Sequence, residues 1–104
     1  MLHAKTLSAI EQHALADYPR EACGLIVAVG RKEVYVPCRN TAASPGEQFR
    51  MCPEDYAAAE DSGEILAVVH SHPDAPATAS PADRTACEQS GLPWVIVSVR
   101  DGKV

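Results

Sequence analysis

The 104-residue sequence has no run of basic residues and no long apolar segment. Nine Lys and Arg face fourteen Asp and Glu, so the formal charge is −5 and the basic surface that nucleic-acid binding requires is missing. No stretch approaches the roughly 18 apolar residues of a transmembrane helix. Glu11, His13 and Asp17 interrupt the N-terminus too early for a signal peptide. The length predicts one soluble globular domain over residues 1–104.

The four cysteines also lack the spacing of a known motif. Cys23, Cys38, Cys52 and Cys87 include no C-x-x-C pair, so they give neither zinc-knuckle spacing nor a disulfide framework. We expect reduced thiols, most of them buried as small apolar groups, in preference to a redox role.

The most informative segment is the pair His70 and His72, followed by Ser80 and Asp83. The apolar run over residues 65–69 predicts a buried strand, and alternate residues of a strand share a face, so both imidazoles can point at one ion. Ser80 precedes a proline, a helix-start signal that puts Asp83 in the first helical turn. Two nitrogens and one oxygen leave a fourth tetrahedral position for water, as in catalytic zinc sites.

Metal-assisted amide hydrolysis also needs a carboxylate that is not a ligand, to take a proton from water and return it to the leaving nitrogen. Glu21, between the first predicted helix and strand, is the candidate, and Gly24 nearby would let another segment approach closely. The alternative for Glu21 is a solvated loop carboxylate. Ser80 has two interpretations that the sequence does not separate: a helix N-cap, or a hydroxyl that stabilises an oxyanion. Without Asp83 the two histidines would equally fit an exposed strand pair or hydrogen-bonded core groups.

Other polar and aromatic residues give weaker signals. His3 and His13 have no partner in the pattern, which predicts surface positions. Tyr35, Phe49 and Trp94 are scattered along the chain, which favours packing in or at the rim of the core over a binding stripe.

Hydrophobic periodicity and turn residues predict an α/β chain in which strands alternate with helices. We expect a mixed β-sheet flanked by helices, with the site at one sheet edge. Asp101-Gly102 would begin a hairpin whose return strand has only residues 103–104, which suggests a domain cut from a longer protein. The predicted elements are a helix over 7–18, a hairpin of strands 23–29 and 33–36, a loop over 37–46, a short strand over 48–51, a helix over 53–61, a strand over 65–69, a helix over 81–89 and a strand over 94–99.

The spacing His70-x-His72-x7-Ser80-x2-Asp83, with Glu21 in a Pro-x-Glu-x-Cys-Gly context, resembles the signature of the JAMM (MPN+) metalloproteases over essentially the whole chain. The resemblance implies that His70, His72 and Asp83 hold zinc, that Glu21 activates water and that Ser80 steadies the oxyanion. It implies the JAMM/MPN fold, similar to the cytidine-deaminase architecture. Deaminase chemistry is not expected, because the H-x-E and P-C-x-x-C signature is absent.

Four segments resemble more specifically the N-terminal domain of tail assembly proteins of lambda-like phages, in which an NlpC/P60-type cysteine peptidase domain follows. These are residues 18–21, 35–40, 54–59 and 92–94. The prediction is therefore a zinc-dependent metallopeptidase or isopeptidase of phage or prophage origin, in the host cytoplasm or the virion tail. Its substrate would be a protein or peptide, such as a tail protein, a small protein tail or a peptidoglycan cross-link.

Two alternatives to this prediction stay open at this level. The main rival is a tail-tip assembly or structural module with a vestigial or structural metal site, and a metal-free binding domain is the weaker one. Ubiquitin is not an expected substrate, because the chain has little room for the insertions that grip it. The preference for zinc over iron or manganese rests on the resemblance and on mixed nitrogen and oxygen ligands. The oligomeric state is open.

Overall fold

A computed structural model describes residues 3–100 of the chain. Four strands form one sheet in the order β2-β1-β3-β4, with β1 antiparallel to β2 and β3, and β3 parallel to β4. The predicted class, a mixed sheet flanked by helices, is confirmed. The elements are α1 (Ala4–Asp17), β1 (Cys23–Val29), β2 (Lys32–Cys38), α2 (Pro53–Ser62), β3 (Glu64–Pro73), α3 (Pro81–Ser90) and β4 (Trp94–Val99).

The central strand β1 is buried because helices cover both of its faces. Leu25 and Val27 pack in a cluster with Ala59 of α2, whereas Ile26 packs with Ile10 of α1. This alternation is the period of two expected for a strand with an apolar run and no polar face. The two faces are therefore distinct, one under α1 and one under α2.

The strand β3 carries the two histidines on the α2 face. Val68 belongs to the α2-side cluster and Val69 to the α1-side cluster, so alternation places His70 and His72 with Val68. The observed strand β3 therefore extends beyond the predicted residues 65–69 and includes both histidines. The site was expected at one edge of the sheet. However, β3 is an inner strand, and the histidines lie at its carboxyl end.

The predicted strand over residues 48–51 is wrong. Only an isolated bridge joins Asn40 to Met51. The side chain of Asn40 takes the backbone groups that a strand would use, since its Nδ2 donates to the Gln48 carbonyl (3.0 Å) and its Oδ1 accepts from the Arg50 N–H (3.0 Å). The segment is held as a loop that folds over the end of the sheet. The predicted hairpin after Asp101 lies outside the described residues.

The expectation for the cysteines is confirmed. Cys23, Cys38 and Cys52 are buried, Cys87 is half-buried, and all four are free thiols. Burial raises the pKa of the Cys23 thiol to about 12 and that of Cys38 to about 11, so both are protonated and unreactive at neutral pH. No helix within residues 3–100 is long and apolar enough to cross a membrane.

The prediction of a partnerless surface position for His13 is wrong. Its Nδ1 and the Tyr35 hydroxyl share a hydrogen bond of 2.6 Å, and its Nε2 lies 3.2 Å from an Asp17 carboxylate oxygen. The ring of Tyr35 in turn lies 2.5 Å from the position that a Cβ on Gly24 would occupy. The close approach expected at Gly24 is therefore present, and Tyr35 makes it.

Removing the Tyr35 hydroxyl should destabilise the fold without moving the two histidines of β3. We expect Tyr35→Phe to lower the free energy of unfolding by about 1 kcal/mol, because a half-buried imidazole loses one hydrogen-bond partner. Urea denaturation followed by circular dichroism measures the difference. Unchanged stability would mean that the bond contributes nothing net.

Candidate metal centre

The carboxyl end of β3 brings two imidazoles together. His70 is fully buried and His72 is half-buried, and their Nε2 atoms lie 3.0 Å apart. His72 Nδ1 lies 2.8 Å from the carbonyl oxygen of Pro76. Because a carbonyl only accepts, Nδ1 carries the proton, and in a neutral His72 ring Nε2 presents its lone pair.

The start of α3 supplies the carboxylate. The predicted N-cap is present: Ser80 Oγ accepts from the Asp83 N–H (3.0 Å), and Asp83 Oδ2 accepts from the Ser80 N–H (3.0 Å). This reciprocal capping box fixes the Asp83 side chain over the helix N-terminus. The carboxylate oxygens then reach the histidines, with Oδ2 at 3.0 Å from His72 Nε2 and Oδ1 at 3.3 Å from His70 Nε2.

These three side chains fit a metal ion. Tetrahedral bonds of about 2.0–2.1 Å would separate ligand atoms by roughly 3.3 Å, and the distances between Nε2 atoms and carboxylate oxygens are 3.0–3.3 Å. With its other nitrogen committed to Pro76, a neutral His72 would point a lone pair at the Asp83 carboxylate. A cation or a proton between the two acceptors resolves that repulsion. His70, His72 and Asp83 form the only such group of potential ligands within residues 3–100.

Two aromatic residues bury His70. The Phe49 ring stacks on the imidazole with a centroid distance of 4.6 Å, and Trp94 meets it edge-on at 5.4 Å. Burial lowers the pKa of His70 to about 4, with His72 adding to the effect and Asp83 opposing it, so the ring is neutral near pH 7, as a metal ligand must be. Its Nδ1 is buried and has no hydrogen-bond partner in the described part of the chain. The predicted packing role of Phe49 and Trp94 is confirmed, and their contact with His70 was not anticipated.

Glu21 is a buried residue, 6% exposed, so the alternative of a solvated loop carboxylate is wrong. Its backbone N–H donates to the Pro45 carbonyl (2.6 Å), and its carbonyl accepts from Asn40 Nδ2 (3.0 Å). Burial raises the pKa of the Glu21 carboxyl to about 7; the nearby His72 lowers it and Asp83 raises it further.

Ser71, between the two histidines, ties the Glu21 segment to β3. Its N–H donates to the Ala22 carbonyl (2.9 Å), and its Oγ accepts from the Ala22 N–H (2.8 Å). No sequence pattern indicates this role of Ser71 or the bond from Asn40, because each connects segments that are distant along the chain. Residue pattern alone reveals only that Ser71 shares a strand with the histidines.

The five predicted site residues meet at one end of the sheet. Glu21, His72, Ser80 and Asp83 line an open cavity of about 440 Å³, and His70 lies behind them against Asp83. The arrangement combines three potential metal ligands, a buried carboxylate and a hydroxyl around a space of substrate size.

Residues 3–104 match the model of the Prok-JAB family, described as prokaryotic homologues of the JAB domain. The match extends over nearly the whole chain, and the protein belongs to this family. The resemblance drawn from the motif is thereby confirmed.

Relatives by sequence come from phages and bacteria. The chain is 52% identical over 101 residues to tail tip assembly protein K of Escherichia phage N15, which covers 97% of this chain and 42% of that protein. It is 31% identical over 112 residues to the CysO-cysteine peptidase of Mycobacterium tuberculosis, covering 97% and 74% of the two chains. The chain thus spans less than half the length of the phage protein.

A solved structure supports the fold. The solution structure of protein DSY2949 from Desulfitobacterium hafniense superimposes with a TM-score of 0.67 at 30% sequence identity, covering 91% of this chain and 71% of that one. The likeness therefore covers most of this chain.

Because Glu21 is buried, its contribution to the free energy of unfolding should depend on pH. The folded state raises this pKa from 4.5 to about 7, so ionisation destabilises the fold progressively between those values and fully above them. We expect Glu21→Gln to stabilise the chelator-treated protein by about 1–3 kcal/mol at pH 8 and by little at pH 4. Urea denaturation at the two pH values measures this. The exposed Glu47, on the same cavity, provides the control Glu47→Gln. An equal effect of Glu21→Gln at both pH values would contradict the prediction.

Proposed function

We propose that this protein is a zinc-dependent metallopeptidase or isopeptidase that hydrolyses an amide bond in a protein or peptide substrate. The observation that carries the proposal is the convergence of His70, His72 and Asp83 beside the buried carboxylate of Glu21. Zinc is preferred because two imidazoles and one carboxylate suit its tetrahedral coordination. When bound, the ion would act as a Lewis acid and lower the pKa of water.

Glu21 would move the protons of the reaction. Its carboxylate lines the cavity together with His72 and Asp83, which places it beside the ligand set without belonging to it. It takes a proton from the attacking water and delivers it to the amide nitrogen, which then leaves as a neutral amine. The bond from Asn40 and the Ser71 to Ala22 pair hold the Glu21 backbone in place.

Ser80 would stabilise the developing oxyanion. Its Oγ accepts a hydrogen bond from the Asp83 N–H, and its hydroxyl is also within hydrogen-bonding reach of the Asp83 carboxylate. When the hydroxyl hydrogen turns away from Asp83, it can point into the cavity that Ser80 lines. The cap and the oxyanion donor are therefore compatible functions of one hydroxyl.

The biological setting that we propose is a phage or prophage tail. The relative in phage N15 is named for tail tip assembly, and the relative in M. tuberculosis is named as a peptidase. We infer a substrate among the proteins or peptides that a tail meets, in the host cytoplasm during assembly or at the virion tail.

A second candidate is a tail-tip assembly module whose metal site is structural or vestigial. The 52% identity to a tail tip assembly protein favours it. In this alternative Glu21 has no chemical task, so changing it should leave tail assembly intact.

Metal content tests the ligand set. We expect about one zinc per purified chain, and little in His72→Ala or Asp83→Ala, because removing one of three ligands opens the site. Elemental analysis after dialysis measures it. The matched controls are His3→Ala and Asp61→Ala, two exposed residues outside the cluster, which should retain zinc. Wild-type protein without metal, even after zinc is added back, would contradict the proposal.

Glu21→Gln separates the two candidate functions. We expect the variant to retain zinc and to lose at least 10²-fold in hydrolysis of a responsive peptide from a fluorogenic library, because the proton carrier is missing. Glu60→Gln, at an exposed position of α2 outside the cavity, should retain activity. If Glu21→Gln hydrolyses as fast as wild type, the mechanism is wrong. A phage N15 that lacks protein K provides the assembly readout. If Glu21→Gln restores tail assembly in it to the same extent as the wild-type chain, the assembly module is favoured.

A further inference from the structure

A second cavity of about 450 Å³ adjoins the metal centre, between α2, α3 and the loop over residues 47–51. The mechanism proposed above leaves it without a role. Its walls are largely apolar and include the aromatic rings of Phe49, Tyr56 and Trp94. The apolar and aromatic lining residues are Phe49, Met51, Tyr56, Val68, Ala86 and Trp94.

The two cavities share the reactive groups. Glu21, Ser80 and Asp83 line both of them, so the second cavity opens onto the same centre from another side. A peptide whose scissile amide lies at this centre extends away from it in two directions. One direction leads to the loop over residues 73–79, and the other leads into the apolar cavity.

The apolar cavity presents surface that water covers in the free protein. Phe49, Met51, Tyr56 and Trp94 are only partly buried where they pack on the core cluster of the sheet. Covering them with an apolar side chain removes that surface from water, which favours binding.

The charges around the cavity exclude anionic groups. Glu21, Glu47 and Asp83 line it, and no Lys or Arg does among the described residues. With Asp83 engaged as a metal ligand, the exposed Glu47 is the carboxylate that would repel a substrate carboxylate in this cavity, and no Lys or Arg on the described walls would pair with it. The lining therefore suits a neutral side chain within a peptide and opposes an acidic one.

We propose, building on the function proposed above, that this second cavity is the specificity pocket of the enzyme and takes a neutral apolar side chain of the substrate residue next to the cleaved bond. The shared lining residues put the pocket beside the bond, the half-buried aromatic walls provide the binding surface, and the acidic rim rejects Asp and Glu.

The first test measures binding without hydrolysis. Trp94 is the only tryptophan in the chain, and its indole N–H, which donates to Ser90 Oγ, reports on this cavity in a ¹H–¹⁵N NMR spectrum. The probes are N-acetyl-L-leucine α-amide and N-acetyl-L-aspartic acid α-amide, whose side-chain carboxylate is free, each added to zinc-loaded protein. We expect a saturable shift with the leucine probe and at least tenfold weaker binding of the aspartate probe.

Filling the cavity provides the matched variant. Ala86 is a lining residue on α3, so Ala86→Phe should occupy the space and weaken leucine-probe binding at least tenfold while zinc content is retained. Ala58→Phe, on the exposed side of α2, introduces the same side chain outside the cavity and should bind as wild type does. If Ala86→Phe does not fold, the smaller Ala86→Leu takes its place.

Several outcomes would overturn the pocket. These are the absence of a saturable shift in the wild type, equal binding of both probes, or unchanged binding in the folded Ala86 variant. Sedimentation that shows a wild-type dimer abolished by Ala86→Phe would assign the cavity to a second copy instead.

The pocket and the proposed function fail separately. If the leucine probe binds but Glu21→Gln hydrolyses peptide as fast as wild type, the mechanism is refuted and the pocket is not. If hydrolysis depends on Glu21 but shows no preference between Leu and Asp beside the cleaved bond, the pocket is refuted and the mechanism is not.

Discussion

The site depends on one pair of hydrogen bonds at the end of the sheet. Ser71 binds Ala22 through both its N–H and its Oγ, across 49 residues of sequence. This pair continues the β1–β3 ladder past its last regular partners, Cys23 and His70. Ser71 lies between the two histidines, so its two bonds to Ala22 hold the neighbouring Glu21 close to the potential ligands. These bonds tie the segment that carries Glu21 to the strand that carries the histidines.

A second constraint acts on the carboxylate ligand. Asp83 caps its own helix and is held there by Ser80, so its side chain loses little freedom when it also faces the histidines. The same oxygen, Oδ2, accepts from the Ser80 N–H and lies 3.0 Å from His72 Nε2. Local helix chemistry thereby preorganises one ligand, and the strand geometry preorganises the other two.

Local signals explain what the sequence could predict. Alternation along β3 placed His70 and His72 on one face, and the Ser80-Pro81 start placed Asp83 in the first turn of α3, because both patterns involve neighbours along the chain. Contacts between distant segments left no such signal. The stacking of Phe49 on His70 and the capture of residues 48–50 by Asn40 depend on tertiary packing. The false strand over 48–51 and the unanticipated contact of Phe49 with His70 have this common cause.

The open cavity and the burial of Glu21 bear on the choice between a catalytic and an assembly function. A structural metal site is usually closed by a fourth protein ligand, whereas two of these three potential ligands, His72 and Asp83, border an open cavity of about 440 Å³. A structural site also has no chemical use for the buried carboxylate of Glu21, whose pKa burial raises to about 7 in the metal-free chain. Hydrolysis needs both features, an open position and a carboxylate that exchanges protons near neutrality. Catalysis gives the buried carboxylate and the open cavity a task, and an assembly module does not, so catalysis explains more of the geometry.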